Sequence, residues 1–139
     1  MELLDKSVYN TPFLYHSRIT IAIYPGVKLM ALNEQTCMPC QGGIPPLSRE
    51  HAQNFLAQVT DWQLSDDATL IKRRYTFIDF KSALAFVNHV GQLCEEQNHH
   101  PDITFGWGYV SVIFYTHKIK GLHENDFIMA SKCDALYAE

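Results

Sequence analysis

One amphipathic segment, residues 80–98, constrains the fold of this chain more than any other feature. Its apolar side chains recur at the period of an α-helix, and Asp79 before it is a favourable N-cap. Pro101 disfavours helical angles at His100, so the helix must end by about His99. A helix of this length must bury its apolar stripe against a sheet or other helices; the stripe comprises Phe80, Ala83, Leu84, Val87, Val90, Gly91 and Cys94.

The flanking segments predict the layer on which this helix packs. Strands are expected at residues 62–64, 70–77, 103–105 and 109–116, with turns at residues 65–67 and 106–108. Two more helices are expected, one from the N-cap Ser48 to about Thr60 and one over Glu124–Tyr137. Hairpins that alternate with helices favour an α+β domain, in which an antiparallel sheet carries helices on one face. The periodicity does not determine the order of the strands.

The strand at residues 109–116 is apolar on both of its faces. Val110, Val112 and Phe114 alternate with a second set that is also largely apolar, namely Tyr109, Ser111, Ile113 and Tyr115. We therefore expect helices to cover one face of this strand, and a partner or more protein to cover the other.

Composition excludes several classes of protein. The chain has 139 residues, enough for one domain with a core. Eleven basic against fifteen acidic residues give a net charge of −4, which provides no general electrostatic footprint for nucleic acid. No apolar run is long enough for a membrane span. Four cysteines do not make a disulfide scaffold in a chain of this size, so a reducing, cytoplasmic setting fits best.

Residues 1–29 differ from the rest of the chain. They show no secretory pattern, no sustained helical period and no clear partner strand. We expect them to be an N-terminal extension outside the domain, which would then comprise residues 30–139. The alternative is a short strand at residues 18–24, paired at an edge of the sheet.

Histidines cluster where two predicted elements end. His99 and His100 follow the long helix, and His117 follows the strand at residues 109–116. Functional residues are often placed where elements run into loops. Histidine can give or accept a proton near neutral pH, so several imidazoles around one pocket could protonate a leaving group and deprotonate another atom. The alternative for each is a hydrogen-bonded surface residue.

Metal binding and thiol redox chemistry are the two alternatives to acid–base catalysis at these residues. Glu95 and His99 could share a helical face and bind a metal with His117. Against this, adjacent His99 and His100 should diverge, and no HExxH motif is present. A redox role for Cys37 and Cys40 is disfavoured because loop residues, not a helix, follow the CxxC motif. We therefore expect no bound metal, and a structural or spectator role for this motif.

The spaced histidines belong to a pattern that resembles the pterin-4a-carbinolamine dehydratases. Segments beside them agree: residues 37–48, CMPCQGGIPPLS, resemble the CxxCxGGxPPL opening of bacterial members, and residues 75–80, YTFIDF, resemble the family's FxFxxF segment. The resemblance covers about residues 34–138, with His123 standing where Ser or Thr is usual. The spaced set that carries it is Glu95, His99, His100, Pro101, Trp107, His117 and Asp126.

The resemblance implies a four-stranded antiparallel sheet with helices on one side, assembled as a homodimer or homotetramer. It also implies an activity: removal of water from a 4a-hydroxytetrahydropterin to give a quinonoid dihydropterin, which recycles the cofactor of aromatic amino-acid hydroxylases. Such dehydration needs proton transfer and no metal or redox cofactor. A functional link to a hydroxylase is expected, and nucleic-acid or membrane partners are not. The alternatives are a regulatory or dimerisation cofactor protein and a molybdopterin-related pterin-binding protein of the same fold.

The resemblance also implies roles for individual residues. His99 and His117 would transfer protons, and His100 would orient the pterin. Glu95 would orient a histidine, and Asp126 would support the loop that carries His117. The expected substrate-binding residues are Pro101, Thr116 and Lys118, together with Phe77 and Trp107 as the aromatic side chains best suited to touch a flat ligand.

Overall fold

Three helices alternate with two pairs of strands along residues 30–139, the part of the chain that this computed structural model describes. The expectations for residues 1–29 lie outside the described residues. Short 3₁₀ turns occupy Leu32–Glu34 and His117–Ile119. The helices and strands, in chain order, are α1 (Arg49–Leu56), β1 (Gln63–Leu64), β2 (Ile71–Thr76), α2 (Phe80–Gln97), β3 (Asp102–Gly106), β4 (Tyr109–Phe114) and α3 (Glu124–Tyr137).

The four strands form one antiparallel sheet in the order β1-β2-β4-β3, which confirms the predicted α+β class. A two-residue turn joins β3 to β4, because Gly106 pairs with Tyr109. Gly108 in that turn has a φ of +81°, a conformation that favours glycine. The strand order places β4 inside the sheet, between β2 and β3.

Helices cover one face of the sheet. Val110, Val112 and Phe114 of β4 have no exposed surface, while the residues between them are half-buried. Helix α2 turns a slightly different stripe inward than expected: Phe86 is buried, whereas Phe80 and Leu84, both predicted for the stripe, are exposed. The other buried residues of α2 are Ala83, Val90 and Cys94, as predicted.

The ends of the helices follow their local sequence. Asp79 is the N-cap of α2, and its Oδ1 accepts a hydrogen bond from the Ser82 amide at 2.7 Å. At the other end Asn98 adopts a left-handed conformation with a φ of +51°, which turns the chain out of the helix before His99. Helix α1 ends at Leu56, earlier than the predicted Thr60. Within residues 30–139, no helix has the length and apolar character that a membrane span requires.

Helix α3 carries a buried polar cluster at its C-terminal end. The Asp134 Oδ1 accepts hydrogen bonds from Arg73 Nη1 at 2.6 Å, Tyr75 Oη at 2.7 Å and Trp62 Nε1 at 2.9 Å. Its Oδ2 accepts one from the Thr60 amide at 3.1 Å. Burial raises the pKa of Tyr75 far above its usual value, so this hydroxyl remains a donor. The cluster therefore joins α3 to β2 and to the loop before β1.

We expect Asp134→Ala to destabilise the protein by about 3–5 kcal/mol, because it leaves the buried Arg73 guanidinium without its carboxylate. Urea unfolding measures the effect. The control is Asp61→Asn, since Asp61 lies 3.6 Å from the same guanidinium but its side chain is 76% exposed, and Asn tolerates the left-handed backbone at this position. That control should lower the free energy of unfolding by less than about 1 kcal/mol. Equal losses in the two variants would contradict the assignment of Asp134 as the main partner of Arg73.

Candidate active site

A pocket of about 330 Å³ opens where α2 and β4 end. Antiparallel pairing of β3 with β4 explains the location, because Asp102 at the start of β3 pairs with Ile113 near the end of β4. The residues just before β3 thus lie beside those just after β4. A third segment, from the CxxC loop, completes the wall; the lining residues are Pro39, Cys40, Asn98, His99, His100, Tyr115, Thr116, His117 and Lys118.

His99 lies at the inner wall of this pocket and is 5% exposed. Its Nε2 is 2.7 Å from Asp126 Oδ1, and its Nδ1 is 3.5 Å from Cys40 Sγ. The ring also stacks on Phe114, with 6.0 Å between ring centroids. Because both nitrogens and one ring face have neighbours, the orientation of His99 is fixed by its surroundings.

Asp126 is fully buried and contacts three separate segments of the chain. Its Oδ1 faces His99, while its Oδ2 accepts hydrogen bonds from Thr116 Oγ1 at 2.9 Å and the His123 amide at 2.8 Å. Asp126 lies in the first turn of α3, where the helix dipole favours a negative charge. Asp126 therefore contacts both Thr116, which directly precedes His117, and His99.

His100 forms a more exposed pair with Glu95. The His100 Nε2 lies 2.7 Å from Glu95 Oε1, and the two side chains are 53% and 79% exposed. An exposed pair adds little to stability, but it restrains the imidazole at the mouth of the pocket. The structure thus pairs Glu95 with His100 and not with His99.

His117 also lines the pocket and is exposed. It opens a 3₁₀ turn that is closed by the pairing of Thr116 with Gly121. Its ring lies against Tyr115, with 4.1 Å between ring centroids. None of the hydrogen bonds within residues 30–139 involves its ring nitrogens, so both can face a ligand.

The predicted substrate-binding residues divide into two groups. Thr116 and Lys118 line the pocket, and Lys118 Nζ donates a hydrogen bond to the Cys40 carbonyl at 3.1 Å. Pro101 directly follows His100 but does not line the pocket.

Phe77 and Trp107 lie away from the histidines in this chain. Trp107 is in the β3–β4 turn, and the Phe77 amide donates to the Gly108 carbonyl at 2.8 Å. Both residues are therefore near the start of β4, whereas His117 follows its end, about 20 Å along the strand. Phe77 packs on Phe86 and Tyr137 instead. The expectation that these aromatics touch the same ligand as the histidines is not met within one chain.

The alternative metal set is not assembled. Glu95 pairs with His100 rather than sharing a helical face with His99, because Asn98 ends the helix before His99. Within the described part of the chain, no three His, Cys, Asp or Glu side chains form a group that could hold a metal ion.

Sequence reasoning missed Cys40 and Tyr115 as pocket residues. The CxxC motif was visible, but nothing in its spacing predicts that residue 40 packs against residue 99. His123, which stands where Ser or Thr is usual, is the N-cap of α3: its Nδ1 accepts a hydrogen bond from the Asn125 amide at 3.1 Å. His123 thus caps the helix, as Ser or Thr commonly does at an N-cap position.

Comparisons with known proteins agree with this architecture. The family model described as pterin 4 alpha carbinolamine dehydratase matches residues 45–136. A Methylococcus capsulatus protein whose name assigns it to these dehydratases is 57% identical over 109 residues, covering 78% of this chain and 96% of the relative. A similarly named Halorhodospira halophila protein is 53% identical over 109 residues, covering 78% of this chain and 100% of the relative.

Two solved structures are also similar. The crystal structure of a transcriptional coactivator/pterin dehydratase from Brucella melitensis matches with a TM-score of 0.63 and 29% identity, covering 66% of this chain and 98% of that one. A pterin dehydratase-like protein described as a RuBisCO assembly factor in the alpha-carboxysome matches with a TM-score of 0.50 and 25% identity, covering 58% of this chain and 93% of that one.

We expect Asp126→Asn to destabilise the protein by about 1–3 kcal/mol, because an amide NH₂ would face the His123 amide or His99 and leave a buried donor without an acceptor. Thermal or urea unfolding measures the loss. The control is Glu124→Gln, which makes the same change of charge in the same turn of α3 at a half-buried side chain. A loss no larger than that of the control would contradict the central position given to Asp126.

Proposed function

Because the chain belongs to the pterin-4a-carbinolamine dehydratase family, we propose that it removes water from a 4a-hydroxytetrahydropterin and releases a quinonoid dihydropterin. The observation that carries the proposal is the meeting of His99, His100 and His117 around one pocket. These residues come from two separate elements of the fold, yet they converge at the point where a small ligand could enter.

The reaction asks for two proton transfers. The bond between C4a and the hydroxyl oxygen breaks, so that oxygen must receive a proton to leave as water. A ring nitrogen of the pterin gives up its proton, and its electron pair forms the new double bond. No electrons enter or leave the substrate overall, so two positioned imidazoles suffice, each worth about 10²–10⁴-fold in rate.

The geometry supports a division of labour among the histidines. His99 Nε2 faces the Asp126 carboxylate, which leaves Nδ1 as the nitrogen that accepts the substrate's proton. His117, which is exposed and lines the same pocket, gives a proton to the departing hydroxyl. His100, restrained by Glu95, orients the pterin at the mouth, and Thr116 and Lys118 border the ligand.

The two solved relatives are named for a transcriptional coactivator and a RuBisCO assembly factor, so similar proteins also serve as binding modules. A molybdopterin-related role is the other alternative. Catalysis is favoured here because a binding module has no need for three histidines and a buried Asp126 at one pocket. The recycling of cofactor for an aromatic amino-acid hydroxylase in the cytoplasm is the setting we propose for the reaction.

We expect His99→Ala and His117→Ala each to lower turnover at least tenfold, because each removes a proton-transfer group. Stopped-flow decay of a synthetic 4a-carbinolamine with the purified protein measures this. The control is His89→Ala, an exposed histidine of α2 that does not line the pocket, and it should keep wild-type turnover. A His99/His117 double variant with near wild-type turnover would contradict the mechanism. No turnover by the wild-type protein would favour a binding module.

We further propose that the protein is a homodimer or homotetramer. Ile78 and Trp107 are 83% and 73% exposed, and Phe80 is 47% exposed, all near the β3–β4 turn. Large apolar side chains grouped on a surface are typical of interaction sites. We expect sedimentation at micromolar concentration to show a particle heavier than one chain, and Trp107→Ser to weaken the assembly. A monomer at that concentration would contradict the proposal.

A further inference from the structure

The CxxC motif is a sequence feature that the proposed chemistry leaves unused, and its two thiols have different surroundings. Cys40 lines the pocket, with its Sγ 3.5 Å from His99 Nδ1. Cys37 does not line it: its Sγ donates toward the Asn125 carbonyl at 3.9 Å. Burial raises the pKa of Cys37 to about 11, so that thiol stays protonated near neutral pH.

Asn125, which is 1% exposed, holds the loop that carries both thiols. Its Oδ1 accepts a hydrogen bond from the Met38 amide at 3.0 Å, and its Nδ2 donates to the Met38 carbonyl at 2.7 Å. These two bonds fix the orientation of the amide, because a flipped amide would place donor against donor. The Nδ2 also lies 3.6 Å from Cys40 Sγ, so the sulfur accepts a hydrogen bond from Asn125.

The Cys40 thiol is then free to donate its proton toward His99, whose Nδ1 lies 3.5 Å from Sγ. On the far side of the imidazole, an ionised Asp126 can only accept, so His99 Nε2 carries a proton. In the neutral ring Nδ1 is therefore an acceptor, and Cys40 Sγ is the donor beside it. The donors and acceptors form one consistent series from Asn125 through Cys40 and His99 to Asp126.

We propose that Cys40 is a positioning residue, which holds His99 as a neutral imidazole protonated at Nε2, with the Nδ1 lone pair kept free of a proton until substrate binds. The catalytic part of this inference rests on the proposed function, whereas the tautomer of His99 does not. A thiol suits this position because it is a weak hydrogen-bond donor. A pterin N–H can therefore replace it beside His99 Nδ1 at a small cost in free energy.

The test of the tautomer needs no substrate. In ¹⁵N–¹H correlation spectra of the ligand-free protein, we expect His99 to show a protonated Nε2 and a hydrogen-bonded, unprotonated Nδ1. In Cys40→Ala the Nδ1 resonance should move toward that of an unbonded imidazole nitrogen, and Cys40→Ser should restore it, because a hydroxyl can donate in place of the thiol. Cys37→Ser is the control from the same loop and should leave His99 unchanged. A His99 resonance unaffected by Cys40→Ala overturns the inference.

Kinetics provide the second readout. We expect Cys40→Ala to lower kcat about threefold to tenfold, the loss expected from one hydrogen bond, with a smaller effect on KM. Cys40→Ser should return kcat to within about twofold of wild type. Equal losses in Cys40→Ala and Cys40→Ser, with parallel losses of thermal stability, would indicate a packing role and overturn the inference. If the wild-type protein has no turnover, the proposed function fails, and the spectra alone decide the role of Cys40 toward His99.

Discussion

The buried carboxylate of Asp126 is the constraint on which the site depends. A carboxylate with no exposed surface is tolerated only when hydrogen-bond donors replace its water. Here those donors are the His123 amide and the Thr116 hydroxyl, and the His99 Nε2 lies within hydrogen-bond distance of the other carboxylate oxygen. These three groups come from the start of α3, the segment after β4 and the segment after α2. Satisfying one charge therefore joins the start of α3 to the two segments that carry His99 and Thr116 into the pocket.

Helix α3 uses a second carboxylate in a different way. Asp134, two turns further along the helix, is paired with the permanently charged Arg73 and with the hydroxyl and indole donors of Tyr75 and Trp62. Arginine keeps its charge at all ordinary pH values, so this end of the helix is a static support. The Asp126 end contacts a histidine, whose two ring nitrogens can donate or accept a hydrogen bond. One helix thus holds a structural cluster and a potentially reactive one.

Much of the fold was predictable from the sequence, whereas the site was predictable only in part. The strong helical period of residues 80–98, the cap at Asp79 and the stop before Pro101 led to the long helix and to the exit of His99 from it. The positions of the three histidines at element ends followed directly. The pairing of Glu95 with His100, and of Asp126 with His99, did not, since both depend on the left-handed turn at Asn98 and on where α3 begins.

The sequence by itself determined the types of the elements, the apolar faces of the central strands and the residues that could transfer protons, because these follow from local periodicity and side-chain chemistry. Only the tertiary structure decided that Cys40 contacts His99, and that Phe77 and Trp107 lie near the start of β4, away from the histidines. Cys40 and His99 are 59 residues apart in the chain. Such contacts arise from the packing of separate elements and from strand order, and neither leaves a periodic trace along the chain.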